Sequence, residues 1–309
     1  MKKSLKILAG IFVAILLMLL ATSVYMLDYS LSSQRENWTE KQAWENLYVH
    51  YPFAKEWFDS IRHDGVLRDT FMTNSDGVRL HAFYLPRKGA ERTAVLVHGY
   101  GNRAIDMFQL GYMYHHHLNS NILLPDLYGH GESGGESIRM GWLDRLDVKA
   151  WSKMAENLFH APIVVHGISM GAATTMMLSG EEDIPESITH FIEDCGYTSV
   201  RDEFSGELKV RFGLPSFPLL DISSLLCKAV FGWSFSEASS LKQVARCKRP
   251  MFFIHGDADS FVPTEMVFPL YFAHSGRKEI WITKGVQHAV SYECYPTEYT
   301  LRVRRFLEK

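Results

Sequence analysis

Four cysteines in 309 residues are too few and too scattered for a disulfide framework, which belongs to short, cysteine-dense chains. An excess of charge is missing too. The chain has 32 Lys and Arg against 35 Asp and Glu, a net −3, and so no electrostatic footprint for nucleic acid. Internal repeats and low-complexity tracts are absent. With 47% hydrophobic and 22% charged residues, disorder, collagen-like repeats and a polytopic membrane protein are excluded. The length allows two domains at roughly 150 residues each, although a single α/β domain also reaches this size.

The near-balanced charge hides a local excess at the start. Lys2, Lys3 and Lys6 precede a run without charge from Ile7 to Leu27, 21 residues that end at Asp28. As a helix at ~1.5 Å per residue the run is about 31 Å long, enough for a bilayer core of roughly 30 Å. Basic residues before it and none just after it make residues 1–6 a cytoplasmic tail and residues 7–27 a single-pass membrane anchor, with the remainder outside the cytoplasm. The competing reading is a signal peptide cleaved at Ala21-Thr22-Ser23, with a secreted product. Tyr25-Met26-Leu27 carry the apolar run past that site and favour a retained anchor. A connector, 28–65, then places Trp38, Trp44, Tyr48, Tyr51, Trp57 and Phe58 among charges. It either rests on the membrane interface or, the preferred reading, packs as a helix on the domain that follows. Thr39 suits its cap and Glu40 its first turn. Asn37-Trp38-Thr39 is a glycosylation sequon, a weak signal by itself.

From residue 66 onward the pattern changes. Val66–Thr73 and Val78–Leu85 read as strands around a turn at Asn74-Ser75-Asp76-Gly77. Short apolar strands follow at Thr93–Val97, Asn121–Pro125, Ile163–His166, His190–Asp194, Pro250–His255 and Glu279–Thr283. They alternate with helical stretches near Ala104–Asn119, Leu143–Leu158, Ala172–Leu178 and Thr297–Leu307. The alternation predicts an α/β fold, a mostly parallel sheet flanked by helices, with its chemistry at the carboxyl ends of the strands. Residues 199–249 break the rhythm, with apolar residues at 219, 222, 226 and 230 at helical spacing. At about 50 residues the stretch exceeds what one crossover needs, and it is read as a helical cap within a domain spanning 66–309.

Gly167-Ile168-Ser169-Met170-Gly171 matches G-x-S-x-G. Alone the pattern is weak, since a chain this long meets it by chance about once in ten. Its setting strengthens it: an apolar strand enters and the small residues Ala172-Ala173-Thr174-Thr175 leave, the strand–turn–helix that projects a serine hydroxyl. Met170 N–H, at the helix start, can serve a developing oxyanion. A serine hydroxyl needs a base and an orienting acid. His288 follows the last predicted strand, and Asp259 lies in His255-Gly256-Asp257-Ala258-Asp259-Ser260-Phe261-Val262-Pro263 after the strand before it. The order Ser169, Asp259, His288 is that of α/β-hydrolases and not of chymotrypsin or subtilisin.

These motifs, with His98-Gly99-Tyr100 and Gly129-His130-Gly131-Glu132-Ser133, occur in the order of the α/β-hydrolase superfamily, which the chain resembles from about Val66 to Lys309. The resemblance implies a second oxyanion N–H at Tyr100, and Asp259 rather than Asp257 as the acid. The stretch His288-Ala289-Val290-Ser291-Tyr292, followed by Pro296, resembles a bacterial esterase-like subgroup. The implied activity is a serine hydrolase cleaving carboxylic esters of small molecules, with no cofactor and no metal. A peptidase of the same fold is the alternative, for which Glu181, Glu182, Asp183, Asp202, Glu203 and Glu207 are candidate amine-binding acids. A non-catalytic binding protein is the remaining one.

Two other patterns are weighed and set aside. Gly129 to Gly134 satisfies G-x-G-x-x-G, but Leu127-Tyr128 separate it from its strand, so a nucleotide is not expected. His115-His116-His117 cannot converge on one ion from adjacent helical positions. Cys195 is expected as a buried apolar side chain. No cysteine occupies the elbow, and any pairing among Cys195, Cys227, Cys247 and Cys294 stays open.

Overall fold

The computed structural model describes residues 2–33, 39–63 and 65–309; Asn37 and Trp38 of the sequon lie outside them. Its strands are β1 (Arg68–Thr73), β2 (Arg79–Leu85), β3 (Arg92–Val97), β4 (Ser120–Pro125), β5 (Ile163–Ile168), β6 (Ile188–Asp194), β7 (Met251–Gly256) and β8 (Lys278–Thr283). They form one sheet in the order β1-β2-β4-β3-β5-β6-β7-β8. β1 pairs antiparallel with β2 and β2 with β4, and every later pair is parallel. The hairpin between β1 and β2 closes on Asn74, whose Oδ1 accepts the N–H groups of Asp76 and Val78 at 3.0 Å each. The parallel strands are continuous apolar runs because both faces are covered. Side chains alternate accordingly: Val95 and Val97 enter one core, Ala94 and Leu96 the other.

Helix α1 (Lys2–Leu31) leads into the domain. α2 (Glu40–His50) and α3 (Lys55–His63) cover the second face together with α4 (Phe108–Tyr112). Trp44 stacks on Phe108 at 5.1 Å and meets Phe58 edge-on at 6.2 Å, so these connector aromatics are part of the core. The stretch read as one helix near 104–119 is three pieces: a 3-10 turn at Ala104–Met107, α4, and a wide π turn at Met113–His117. Met113, Tyr114 and His115 in the π turn are all buried.

On the first face lie α5 (Asp144–Phe159) and α6 (Met170–Ser179). Between β6 and β7 the chain builds α7 (Val200–Phe212), α8 (Leu219–Phe231) and α9 (Ser240–Val244). α10 (Val267–Ala273) returns to the first face, while α11 (Ser291–Cys294) and α12 (Pro296–Leu307) close the second. In α8 the buried stripe is Leu219, Leu220, Ser223, Ser224 and Cys227. Of the expected apolar series 219, 222, 226 and 230, Val230 is exposed. The helix is apolar around much of its circumference, so spacing alone did not say which side would be covered; α1 packs against it.

β3 connects to β4 on one side and β5 leads to β6 on the other. The carboxyl ends of β3 and β5 therefore flank the point where the chain reverses its progress across the sheet, the place where open α/β sheets form a crevice.

Candidate active site

Ser169 sits between β5 and α6 with φ +57° and ψ −121°, a region in which a non-glycine residue is strained. Its neighbours must be glycine for a steric reason. A Cβ at 167 would lie 2.0 Å from Gly171 O, and one at 171 would lie 2.0 Å from Val97 O. Backbone thus crosses backbone on both sides of the serine, and Ser169 N–H donates to Asp194 O at 2.8 Å, tying the turn to β6.

The structure brings the three residues singled out in the sequence together from three loops. Ser169 Oγ is 2.8 Å from His288 Nε2, and His288 Nδ1 is 2.7 Å from Asp259 Oδ2. With Nδ1 facing the carboxylate, that nitrogen carries the proton and Nε2 is left to accept from the serine. Asp259 is held hard in place. Its Oδ1 accepts the N–H groups of Phe261 at 2.9 Å and Val262 at 3.0 Å. Its burial works to raise the pKa, but hydrogen bonding to His255 and His288 outweighs it and leaves the carboxyl at about 2. His255 is itself fixed by Nε2–H donating to Val262 O at 2.9 Å. Asp257 is exposed and accepts Gly285 N–H at 2.5 Å instead.

Sequence reasoning missed Phe261, whose ring packs 4.9 Å from the His288 ring. Met170 opens α6, so its N–H is among the first-turn donors without an intrahelical acceptor. The Gly99-Tyr100 loop abuts the serine, since a Cβ at 99 would lie 3.3 Å from Ser169 Cβ. Tyr100 Oη donates to Ser30 O at 2.9 Å, a link between this loop and the end of α1.

The remaining patterns have other uses. Gly129–Gly134 closes a turn, Gly129 N–H to Gly134 O at 2.8 Å, around Asp126. The Asp126 carboxylate bonds His81 Nδ1 at 2.7 Å and Ala104 N–H at 2.7 Å. His115 Nδ1 accepts from Trp57 Nε1 at 3.2 Å, whereas the His116 and His117 rings pack on each other at 4.8 Å and on Tyr112, so the three do not converge. Cys195, Asp259 and His288 place possible ligand atoms within 4.8 Å of one another. Burial, followed by the charge of Asp194, holds the Cys195 thiol far above its usual pKa, and a protonated thiol is neither a metal ligand nor a nucleophile. All four cysteines are free thiols.

The description alpha/beta hydrolase family matches residues 94–293. The chain is an alpha/beta hydrolase. Among proteins similar to this hydrolase, the uncharacterized protein YqkD of Bacillus subtilis (strain 168) is 26% identical over 234 residues, 75% of this chain and 76% of its own. The Pyrococcus furiosus esterase Pf2001 superposes with a TM-score of 0.64 at 25% identity, over 78% of the hydrolase and 90% of the esterase. The Pyrococcus horikoshii acylaminoacyl peptidase shares the fold at a TM-score of 0.60 and 16% identity, over 83% of this chain and 43% of that one.

In the hydrolase a cavity of about 460 Å³ reaches Ser169, within the size range of ligand sites. Its walls come from α7 and α8 (Phe204, Leu208, Leu220) and from the end of α1 (Met26, Tyr29). Two of the sequence's candidate acids, Glu203 and Glu207, line it. Glu203 Oε2 is buried with no hydrogen-bond partner among the described residues. Burial, then the charge of Glu207, pushes the Glu203 carboxyl up to about 8. Glu207 bonds Arg211 Nε. The other candidate acids lie elsewhere: Glu181, Glu182 and Asp183 pair with Arg145, Arg246 and Lys149, and Asp202 accepts from Thr198 and Ser199.

Proposed function

We propose that this hydrolase cleaves carboxylic esters through an acyl-serine, with Ser169 as nucleophile, His288 as general base and Asp259 as the acid that orients it. The single observation that carries the reading is the continuous pair of hydrogen bonds from Ser169 Oγ through His288 to Asp259 at a strained serine. His288 Nε2 takes the serine proton as Oγ attacks the ester carbonyl carbon. Asp259, ionised at any pH above about 2, stabilises the imidazolium. The backbone N–H groups of Met170 and Tyr100 receive the oxyanion, each such donor being worth ~3–4 kcal/mol in the transition state. The tetrahedral intermediate expels the alkoxide, which leaves as the alcohol with the proton from His288. Water, deprotonated by His288, then attacks the acyl-serine, and the second tetrahedral intermediate expels Ser169 Oγ, which takes the proton back from His288 as the carboxylic acid is released. No step draws on a metal or an organic cofactor.

The pocket acids favour esters over free-amine peptides. A substrate ammonium needs an unpaired carboxylate, but Glu203 is held neutral to about pH 8 and Glu207 is matched by Arg211. For location, the reading is a single-pass anchor within α1, which is long and apolar enough to cross a membrane from Lys3 to Leu31. Lys2, Lys3 and Lys6 set the tail on the cytoplasmic side and the hydrolase domain outside. Retention of the helix is supported by Ser23, at the candidate cleavage site, being buried against Leu219 O.

A fluorophosphonate probe tests the chemistry. The wild-type protein is expected to label covalently and Ser169→Ala to stay unlabelled. Equal labelling of the two, or none of either, removes the assignment. Cleavage of aminoacyl anilides without cleavage of 4-nitrophenyl esters removes the ester reading alone.

A further inference from the structure

Helix α1 divides into two parts. Through most of its length its apolar side chains are exposed. Its last turns dock on the domain: Ser23, Leu27 and Leu31 are buried, and Ser23 Oγ donates to Leu219 O at 3.5 Å. Tyr29 meets Phe212 edge-on at 5.9 Å, and Ser30 O accepts from Tyr100 Oη at 2.9 Å. The helix therefore arrives at the mouth of the cavity that holds Ser169, and Met26 and Tyr29 form part of its wall.

The cap is unusually apolar on the same side. Phe217 is 77% exposed two residues before Leu219, the α8 residue that meets Ser23. Phe212 and Leu214, at the corner between α7 and α8, are exposed as well. Single exposed apolar side chains are ordinary, but a group of them signals a surface that is covered. Here the group adjoins a helix whose own bare stretch is of membrane-spanning length, and a lipid surface is the apolar environment that suits both.

We propose that the cavity takes the acyl chain of a membrane-resident long-chain ester, drawn from the adjoining leaflet between α1 and the cap. The anchor helix is then a wall of the substrate site as well as a tether. This rests on the ester-hydrolase reading and names its substrate class. The carbonyl sits at Ser169, the acyl chain lies along Met26, Leu208 and Leu220, and hydrolysis adds one water to give a long-chain carboxylic acid and an alcohol. Met26 and Tyr29 line the path before the chemistry begins, which a helix serving only as a tether would not do.

The test uses the full chain in phosphatidylcholine vesicles, with 4-nitrophenyl palmitate in the bilayer and 4-nitrophenyl butyrate in solution. The wild-type kcat/KM is expected to favour palmitate. Met26→Trp, which fills the cavity, should lower the palmitate-to-butyrate ratio about tenfold or more, since hydrophobic pockets discriminate on that scale. Phe217→Ser, at an exposed position, should lower the same ratio about fivefold by removing apolar contact with the bilayer. A melting transition like that of the wild type shows that each variant is folded. Preference for butyrate, or a ratio that neither substitution moves, overturns the inference while the hydrolase reading stands. A wild-type protein that cleaves neither ester and takes no fluorophosphonate shows instead that the underlying reading has failed.

Discussion

Asp257 and Asp259 stand two residues apart in one loop, yet their surroundings differ entirely. Asp259 is enclosed, accepts two backbone N–H groups and faces two imidazoles, whereas Asp257 holds Gly285 N–H at the surface. Asp259→Asn is expected to lower kcat by about 10³–10⁴-fold, because an amide opposite Nδ1 favours the wrong imidazole tautomer. Asp257→Asn should change it by no more than about threefold, as for an exposed residue outside the site. Steady-state kinetics on a 4-nitrophenyl ester reads both, and comparable losses would reject the choice of acid. The place of Asp259 in the family-like motif already set it apart from Asp257 in sequence; the structure adds how their surroundings differ, with the backbone of Phe261 and Val262 donating to Asp259 alone.

At the scale of the elements, α2 and α3 matter for the stability of the site although they contribute nothing to its chemistry. Trp44, Leu47 and Phe58 bury against Phe108 and the second face of the sheet. Trp44→Ala or Phe58→Ala is expected to cost about 3–5 kcal/mol, the usual range for emptying a large aromatic from a core. The double variant should cost less than the sum, because the two rings touch. Equilibrium urea unfolding measures this; a change below about 1 kcal/mol for either single variant would mean that the helices dock only loosely. In sequence the preferred reading packed these aromatics on the domain, with a membrane interface as the alternative, since a Trp-rich amphipathic stretch serves either surface. Elements with a strong local signal were plainer: continuous apolar runs marked β3 to β7, while the helical stretch near 104–119 hid a π turn whose Tyr114 and His115 bond the distant His166 and Trp57.

Across the whole molecule, two buried acids near the site, Glu193 and Glu203, feel nearby positive charge that does not offset their burial. Burial, opposed by His255, raises Glu193 to about 8, and Glu203 stands at about 8 as well. Both folded-state values lie above the usual carboxylate value, so the native state binds more protons than the unfolded one between them. The stability they contribute is complete below the unfolded pKa and is lost as pH rises through about 8. Melting temperature is therefore expected to fall between about pH 5 and 8 and to level off above, and to fall less in Glu203→Gln, whose amide cannot ionise. Parallel curves for the two proteins would show that Glu203 is ionised when folded.

What the sequence determined by itself was whatever is local. Strand runs, the serine between glycines, the order Ser169, Asp259, His288 and the uncharged stretch from Ile7 to Leu27 are all visible as composition over a few residues. The tertiary structure decided what depends on closure across distance. It turned His288 toward a serine 119 residues away and bent one aspartate inward. It also set the end of α1 against α8 and Tyr100. The physical reason is that a side chain's role at such a site is fixed by which surfaces exclude water around it. The slightly acidic, cysteine-poor chain thus reads as a hydrolase from its motifs, but the cavity at Ser169 forms only when the end of α1 meets α7 and α8.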